Sequence, residues 1–591
     1  MRNSAVKPIR HWPHNYDRFP TIRVPDCPES VWQGWREIVA RIRGEVARGA
    51  RKISVETYPG VFEQQVLEAL VEGLRPAHVF RTRDCWKTPA EIDGLVSKDL
   101  TDDPVFGHIS QLTIGDFANP QRRAQLQQAC RLASGVTLII GTGTALLAPE
   151  PELLILADLA RWEIQRRQRA DEIGSFPVGD LHESAAQKYK RAYFVDWRVA
   201  DRIKCPLLDR IDYLLDTNDP GAPKMCSAQS FRAGLRGALN RPFRTVPFFD
   251  PGPWGGQWMR EVCDLPDGPP NYAWCFDCVP EENSLVLDIS GVNIEIPATD
   301  LVLQHPRELL GEAVYARFGA EFPIRFDFLD TMQGGNLSLQ VHPLNQYIID
   351  KFGMTYTQDE SYYLLDAAPD ACVYLGLKTG TDPKAMINEL RRAQEDGVPF
   401  ETRNYVNTWP ARKHDHFLIP AGTIHCSGAN SMVLEISATP YIFTFKLWDW
   451  GRLGLDGRPR PIHLDHGTAN IQWNRDTEWV RTNLLNRVEK LGEGPGWVEE
   501  RTGLHELEFI ETRRHWFTSP VEHDASTSVH VLNLVEGEEA IVESPISAFE
   551  PFRVHYAETF IVPANAGRYK IRPADGVGEC ATIRAAVRTK S

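Results

Sequence analysis

The 591-residue chain has no run of about eighteen apolar residues, which leaves no candidate membrane-spanning helix. Its first twenty residues, Met1 to Pro20, are polar and rich in His and Pro, without the apolar core of a secretory leader. A soluble, cytoplasmic protein is therefore expected. Basic excess is also missing: 65 Lys and Arg stand against 79 Asp and Glu, a formal charge of −14. That balance argues against bulk binding of nucleic acid or of an anionic membrane surface. The 11 cysteines are odd in number and scattered, so they read as reduced thiols. Cys275-Phe-Asp-Cys278 has no second pair nearby and reads as two strand cysteines. What is present is ordinary globular chemistry, 42% hydrophobic and 24% charged, in a chain long enough for three or four domains.

In chain order, residues 1–29 read as an N-terminal tail and residues 30–49 as an amphipathic helix with arginines on its outer face. Lys52-Ile-Ser-Val-Glu-Thr is a strand, Val61 to Leu70 a helix, Val136-Thr-Leu-Ile-Ile a strand, Leu153-Leu-Ile-Leu-Ala-Asp another, and Arg161 to Arg169 a basic helix. Alternation of this kind predicts a parallel α/β sheet over residues 30–240. Pro220 to Pro247 reads as a connection between the halves. Asp382 to Asp396 has the spacing of a surface helix. After Gly492-Glu-Gly-Pro-Gly496 a second strand-rich stretch runs from about Leu504 to Arg588.

The most informative stretch is Asn336 to Arg452. Gln340 and His342 lie two apart in an alternating run, on one face of a strand and about 7 Å apart. Glu360 heads an aromatic-rich strand. In His416-Phe-Leu-Ile-Pro-Ala-Gly-Thr-Ile-His425, the Pro-Ala-Gly turn reverses the chain and delivers His425 onto a returning strand. Two imidazoles, a carboxylate and an amide oxygen make a first shell for a divalent cation with a position left open.

These motifs resemble the metal-binding core of the type I mannose-6-phosphate isomerases, a cupin family, and most closely its short bacterial form. The landmarks are Leu337-Ser-Leu-Gln-Val-His-Pro343, Glu360-Ser-Tyr-Tyr, Ile419-Pro-Ala-Gly-Thr-Ile-His425, Val433-Leu-Glu-Ile436, Asp449-Trp-Gly-Arg452 and Arg460-Pro-Ile-His463. The likeness spans roughly Phe248 to Arg588. It implies Gln340, His342, Glu360 and His425 as ligands of one zinc ion, although such a set also accepts manganese, cobalt or nickel. It further implies a metal-binding cupin over 248–475 and a C-terminal cupin over 500–591, where Phe560-Ile-Val-Pro-Ala-Asn repeats the turn without its histidine. Phe248 onward, beginning Trp254-Gly-Gly-Gln-Trp, opens the isomerase-like part.

The implied reaction is aldose–ketose isomerisation, an intramolecular proton transfer between C1 and C2 through a cis-enediolate. Candidate catalytic residues are Glu435, Lys446 and His416. Two readings of Glu435 stand, proton carrier or ion-pair partner, and two of His416, proton shuttle or surface turn histidine. Ser338, Gln358 and Arg452 are the candidate substrate contacts. Two departures weaken the cationic field: Gln358 occupies the place of a family lysine, and Lys446 that of an arginine. The substrate is expected to be a sugar or sugar phosphate, mannose 6-phosphate or a relative. The competing class is a non-catalytic, metal-binding cupin with a sugar-binding or regulatory role.

The N-terminal part resembles, more faintly, a uridine-kinase-like P-loop fold, in Asp84-Cys-Trp-Lys, Leu100 to Gly107, Gly141-Thr-Gly and Tyr189-Lys-Arg-Ala-Tyr. Where such a kinase carries G-x-x-x-x-G-K-[ST], this chain has Glu56-Thr-Tyr-Pro-Gly-Val-Phe-Glu-Gln. The expected module is a degenerate one without ATP chemistry. The whole fold expectation is thus a degenerate α/β unit followed by an all-β double cupin with a few helices.

Overall fold

The computed structural model describes residues 15–25, 30–177, 179, 181–438, 443–503, 505 and 507–589. Most of the expected tail, 1–14 and 26–29, lies outside these residues, as does Leu504. The described part of the tail is a structural element: Thr21–Val24 pairs in parallel with Ser284–Ile289, and the Tyr16 hydroxyl donates to Asp277 at 2.7 Å.

A seven-stranded sheet forms the N-terminal part. Its strands run, across the sheet, Val31–Gln33, Lys224–Ser227, Tyr213–Asp216, Leu153–Asp158, Lys52–Thr57, Thr137–Gly141 and His78–Arg81. The last five in that order are mutually parallel, as the alternation of strands and helices predicts. Leu153–Asp158 is buried at every position, the continuous apolar run of a strand covered on both faces. Residues 30–49 divide into a short strand and the helix Gly34–Ala47. The expected connection 220–247 is itself structured, with the strand Lys224–Ser227 and the helix Ala228–Leu239. Its glycines and serines misled: Ser227 is the N-cap, accepting from the Ser230 amide, and Gly234 packs closely on Leu287.

Two antiparallel sheets follow. One has six strands, in the order His416–Ile419, Glu360–Ala367, Ser431–Ser437, Arg325–Asp330, Trp274–Cys278 and Phe248–Asp250. The other has five, in the order Val406–Pro410, Cys372–Leu377, His425–Ser427, Leu339–Val341 and Phe445–Trp448. Side chains from both, among them Tyr362, Leu364 and Val433 from the first and Leu339, Val373 and Phe445 from the second, share one buried core. Cys275 and Cys278 both lie buried in their strand. The helix expected at 382–396 is Pro383–Asp396, N-capped by Asp382. A second pair of antiparallel sheets, of six and four strands, is built from residues 489–587. Among the described residues, no helix is long and apolar enough to cross a membrane.

Candidate metal centre

The strand pairing converts sequence spacing into a site. Gln340 sits opposite His425 on one side and opposite Lys446 on the other, so the three side chains share one face of the five-stranded sheet. Glu360 comes from the facing six-stranded sheet, where it lies in register with Ile419 and Ser437. Gly422 makes the turn before His425; its φ of +85° and the Asn470 carbonyl beside it admit no ordinary side chain.

Three side chains converge. The Glu360 carboxylate lies 3.0 Å from His342 Nε2 and 2.8 Å from His425 Nε2. Each imidazole has its Nδ1 against a backbone carbonyl, His342 on Phe443 at 3.0 Å and His425 on Thr423 at 2.9 Å. Nδ1 is thereby the protonated nitrogen, and both Nε2 lone pairs are turned toward the carboxylate. Acceptors facing acceptors in a buried site require a cation or a proton among them. All three residues are at most 1% exposed, and they are the one group of His, Cys, Asp or Glu among the described residues close enough to hold a metal. The Gln340 amide reaches His425 Nε2 at 3.1 Å and can turn its oxygen to the same point. The donor set fits a divalent ion such as zinc.

Glu435 lies beside this group rather than in it. It faces Tyr362 and Asp327 across its neighbouring strands. The Arg325 guanidinium binds it, and Arg325 also donates to Asp327 at 3.0 Å. Ser437 donates to Glu435 at 3.0 Å, and Gln358 reaches both Glu360 at 2.9 Å and Glu435 at 3.4 Å. Burial, then Asp327 and Glu360, drive the Glu435 carboxyl well up, against the pull of Arg325. Burial and the charge of Arg460 bring the Lys446 amine down to about 7.

A second polar group begins at Ser338, two residues along the strand from Gln340. Its hydroxyl donates to Asp449 at 2.8 Å and receives Arg460 at 3.3 Å. Asp449 also holds Arg452 at 2.6 Å and Arg460 at 3.2 Å. Ser338 and Arg452 are thus joined through Asp449, with Lys446 close enough to feel the charges of Arg460, Asp449 and Arg452. Arg460, Asp449, Arg325 and Asp327 are additions that sequence reasoning missed as site residues. Arg325-Phe-Asp-Phe carried a signal, since two charges alternating with aromatics on a strand put a polar stripe inside a barrel.

His416 is not brought to the metal ligands. It pairs with Tyr363, at odd offset from Glu360, and so points out of the opposite face of its sheet. There it stacks edge-on against Tyr363 at 5.5 Å and lies fully buried beside Gly503, which also removes the surface-turn reading. Burial, reinforced by Arg514, lowers it to about 3.

The N-terminal part reaches the edge of the site. Phe106, in the loop after the helix Pro89–Leu100, is fully buried among Phe352, Phe443, Phe445, His463 and His466. Phe443 supplies the carbonyl that orients His342. Asp103, in the same loop, lies 3.3 Å from His466.

A family model described as a domain of unknown function (DUF8485) matches residues 34–240. A mannose-6-phosphate isomerase of Streptococcus mutans is 28% identical over 214 residues, 36% of this chain and 62% of the relative. The mannose-6-phosphate isomerase ManA of Bacillus subtilis is 27% identical over 232 residues, 39% of this chain and 68% of its own. The chain therefore spans less than two thirds of the Streptococcus relative. Among solved structures, the mannose 6-phosphate isomerase of Bacillus subtilis aligns with a TM-score of 0.47 at 17% identity, over 58% of this chain and 99% of its own. A zinc-bound mannose 6-phosphate isomerase aligns with a TM-score of 0.44 at 14% identity, over 59% and 99%. By its motifs and by these curated relatives, the chain bears the resemblance of a type I mannose-6-phosphate isomerase.

Proposed function

We propose that the chain is a metal-dependent aldose–ketose isomerase acting on mannose 6-phosphate or a closely related phosphosugar. The observation that carries this reading is the pair of imidazole Nε2 atoms turned onto the Glu360 carboxylate, with Glu435 adjacent and a cationic group one strand step away. A bound divalent ion such as zinc, held by Gln340, His342, Glu360 and His425, would polarise the substrate carbonyl and stabilise the developing oxyanion.

The chain's own residues supply the rest. Ser338 and Gln340 are about 7 Å apart on the strand, which suits a sugar laid along it with its phosphate toward Ser338, Arg452, Arg460 and Lys446. Arg460 offsets part of the positive field lost at Gln358, so a phosphate dianion remains compatible with the site. Glu435 removes the proton from C2 of the aldose and delivers a proton to C1, exchanging with solvent while the enediolate persists; the hydroxyl proton passes from O2 to O1 and the enediolate collapses to the ketose. Burial, Asp327 and Glu360 raise this carboxyl, which strengthens it as a base once it is ionised. Asp327 and Arg325 orient it.

One observation favours the non-catalytic reading. Arg325, Ser437 and Gln358 all engage Glu435, as they would a structural ion-pair partner. Incubation of the full chain with fructose 6-phosphate, followed by NMR, separates the two. Appearance of mannose 6-phosphate supports the isomerase; saturable binding without turnover supports the binding protein.

A further inference from the structure

The loop after the helix Pro89–Leu100 ties the N-terminal unit to the segments that carry the metal ligands. Ser110 donates its amide to Phe194 at 2.9 Å within the unit, and Ile109 donates across to the Phe352 carbonyl at 2.8 Å. Asp103 Oδ1 accepts from the Val105 and Phe106 amides, each at 2.7 Å, which closes the loop on itself. The other oxygen, Oδ2, meets His466 Nε2 at 3.3 Å.

His466 stands in the middle of a polar chain. Its Nδ1 lies 2.7 Å from the Tyr347 hydroxyl. The neutral tautomer with its hydrogen on Nε2 satisfies both contacts: the Tyr347 hydroxyl donates to Nδ1, and Nε2–H donates to Asp103. Tyr347 lies in the helix Asn345–Phe352, which begins three residues after His342. His466 lies in the helix Leu464–Asn470, whose last residue, Asn470, is fully buried.

Asn470 joins the two ligand-bearing segments. Its Oδ1 accepts from the Leu344 amide at 2.8 Å, two residues from His342, and its Nδ2 donates to the His466 carbonyl at 2.8 Å. Its backbone carbonyl lies beside Gly422, in the turn that delivers His425. Gly422 in turn donates to the His342 carbonyl at 3.0 Å and accepts from the Gln472 amide at 2.9 Å. Ligation of one ion by His342 and His425 would fix both segments at once, and with them the short helix that presents His466 to Asp103. A loop docked on an already stiffened surface loses less freedom there.

We propose that the N-terminal loop 101–110 and the metal centre are energetically coupled, with His466 as the positioning residue between them. Metal binding tightens the docking of the loop, and the docked loop raises metal affinity; by linkage the two effects are equal in size. The assignment gives the unit matched over residues 34–240 a task, bracing the segments that carry the metal ligands. It rests on those ligands and not on the isomerase reaction.

Hydrogen–deuterium exchange of the full chain, in EDTA and with zinc, tests this by mass spectrometry. Peptides over 101–110 should exchange about 2- to 30-fold more slowly with zinc, the range for a residue network linking two sites. The strand Leu153–Asp158 is the reference for stabilisation of the whole chain, and the loop should slow beyond it. His466→Leu removes both hydrogen bonds of the ring. It should abolish the extra slowing and weaken zinc binding, read by competition with a chelator, by the same factor. His466→Gln supplies a donor and an acceptor and should restore part of both. Loop exchange unchanged by zinc in a chain shown to hold it overturns the proposal, as does slowing no greater than that of the reference strand. So does a folded His466→Leu protein with unaltered zinc affinity and loop response, and so does a chain that takes up no zinc. If His466→Leu does not fold, Asp103→Asn takes its place with the same two outcomes. Turnover of mannose 6-phosphate enters none of these readings, so failure here is distinct from failure of the isomerase reading.

Discussion

Arg325 and Glu435 lie on adjacent strands of one sheet, and the guanidinium of the first binds the carboxylate of the second. Both are at most 4% exposed, and Arg325 also holds Asp327 at 3.0 Å. A carboxylate so placed has a fixed direction and a proton affinity set by three charged neighbours. Glu435→Gln keeps the shape and removes the proton carrier. Turnover should fall by about 10²–10⁴-fold with metal content unchanged. Full activity in this variant would move the proton transfer to another group. Arg325→Met instead leaves two buried carboxylates uncompensated and should cost about 3–5 kcal/mol of stability, read by denaturant unfolding.

Arg460 is predicted to recognise the phosphate. Its guanidinium lies 3.3 Å from the Ser338 hydroxyl and 3.2 Å from Asp449. Arg460→Met should raise KM for a 6-phosphosugar by about tenfold or more, the range for a hydrogen bond to a charged group, with a much smaller effect on a free sugar. Equal effects on both would show that Arg460 supports the fold and not the phosphate.

His416 should set an acid-sensitive limb of stability. Burial lowers it to about 3 in the folded chain, against an ordinary value of 6.5. Above pH 6.5 both states are neutral there and the residue contributes no pH dependence. As pH falls from 6.5 toward 3, the unfolded chain takes up the proton first, so the fold loses stability over that window. His416→Gln should flatten this limb in denaturant titrations at pH 4–7. An unaltered limb would place the acid sensitivity elsewhere, with His463, also near 3, the next residue to replace.

Phe106→Ala opens a cavity among five aromatic rings and should cost about 3–5 kcal/mol. Because Phe443 packs on Phe106 and orients His342, metal affinity should fall as well, by about 10–100-fold, the usual scale for a residue supporting a ligand. A variant that unfolds more easily but binds metal as before would confine Phe106 to packing.

The convergence of His342, Glu360 and His425 was legible because each sits in a short motif with a strand's period. Gln340 and His342 are two apart, and the Pro-Ala-Gly turn fixes where His425 emerges. Glu360 is the head of its strand. His416 was misplaced for a related reason. Its face depends on register with Tyr363 and Glu360, and one residue of register exchanges the faces of a strand. Phe106 carried no local signal for its position, and Arg460 stood only inside the Arg460-Pro-Ile-His463 landmark, which does not tell that it reaches Ser338. Phe106 sits more than 200 residues from the rings it joins, and its motif reads as part of the α/β unit alone. The region 220–247 read as a connection because Gly and Ser mark caps and close packing as readily as loops. The alternation of strands and helices in the N-terminal part did predict its parallel sheet.

The most direct test of the central claim is proton NMR of the full, zinc-loaded chain in D₂O with mannose 6-phosphate, beside an EDTA-treated sample and a Glu360→Gln variant. The C2 proton signal should be lost as deuterium enters, and be retained in both controls. Retention of that signal by a protein shown to hold its zinc, or exchange that survives EDTA, would contradict it.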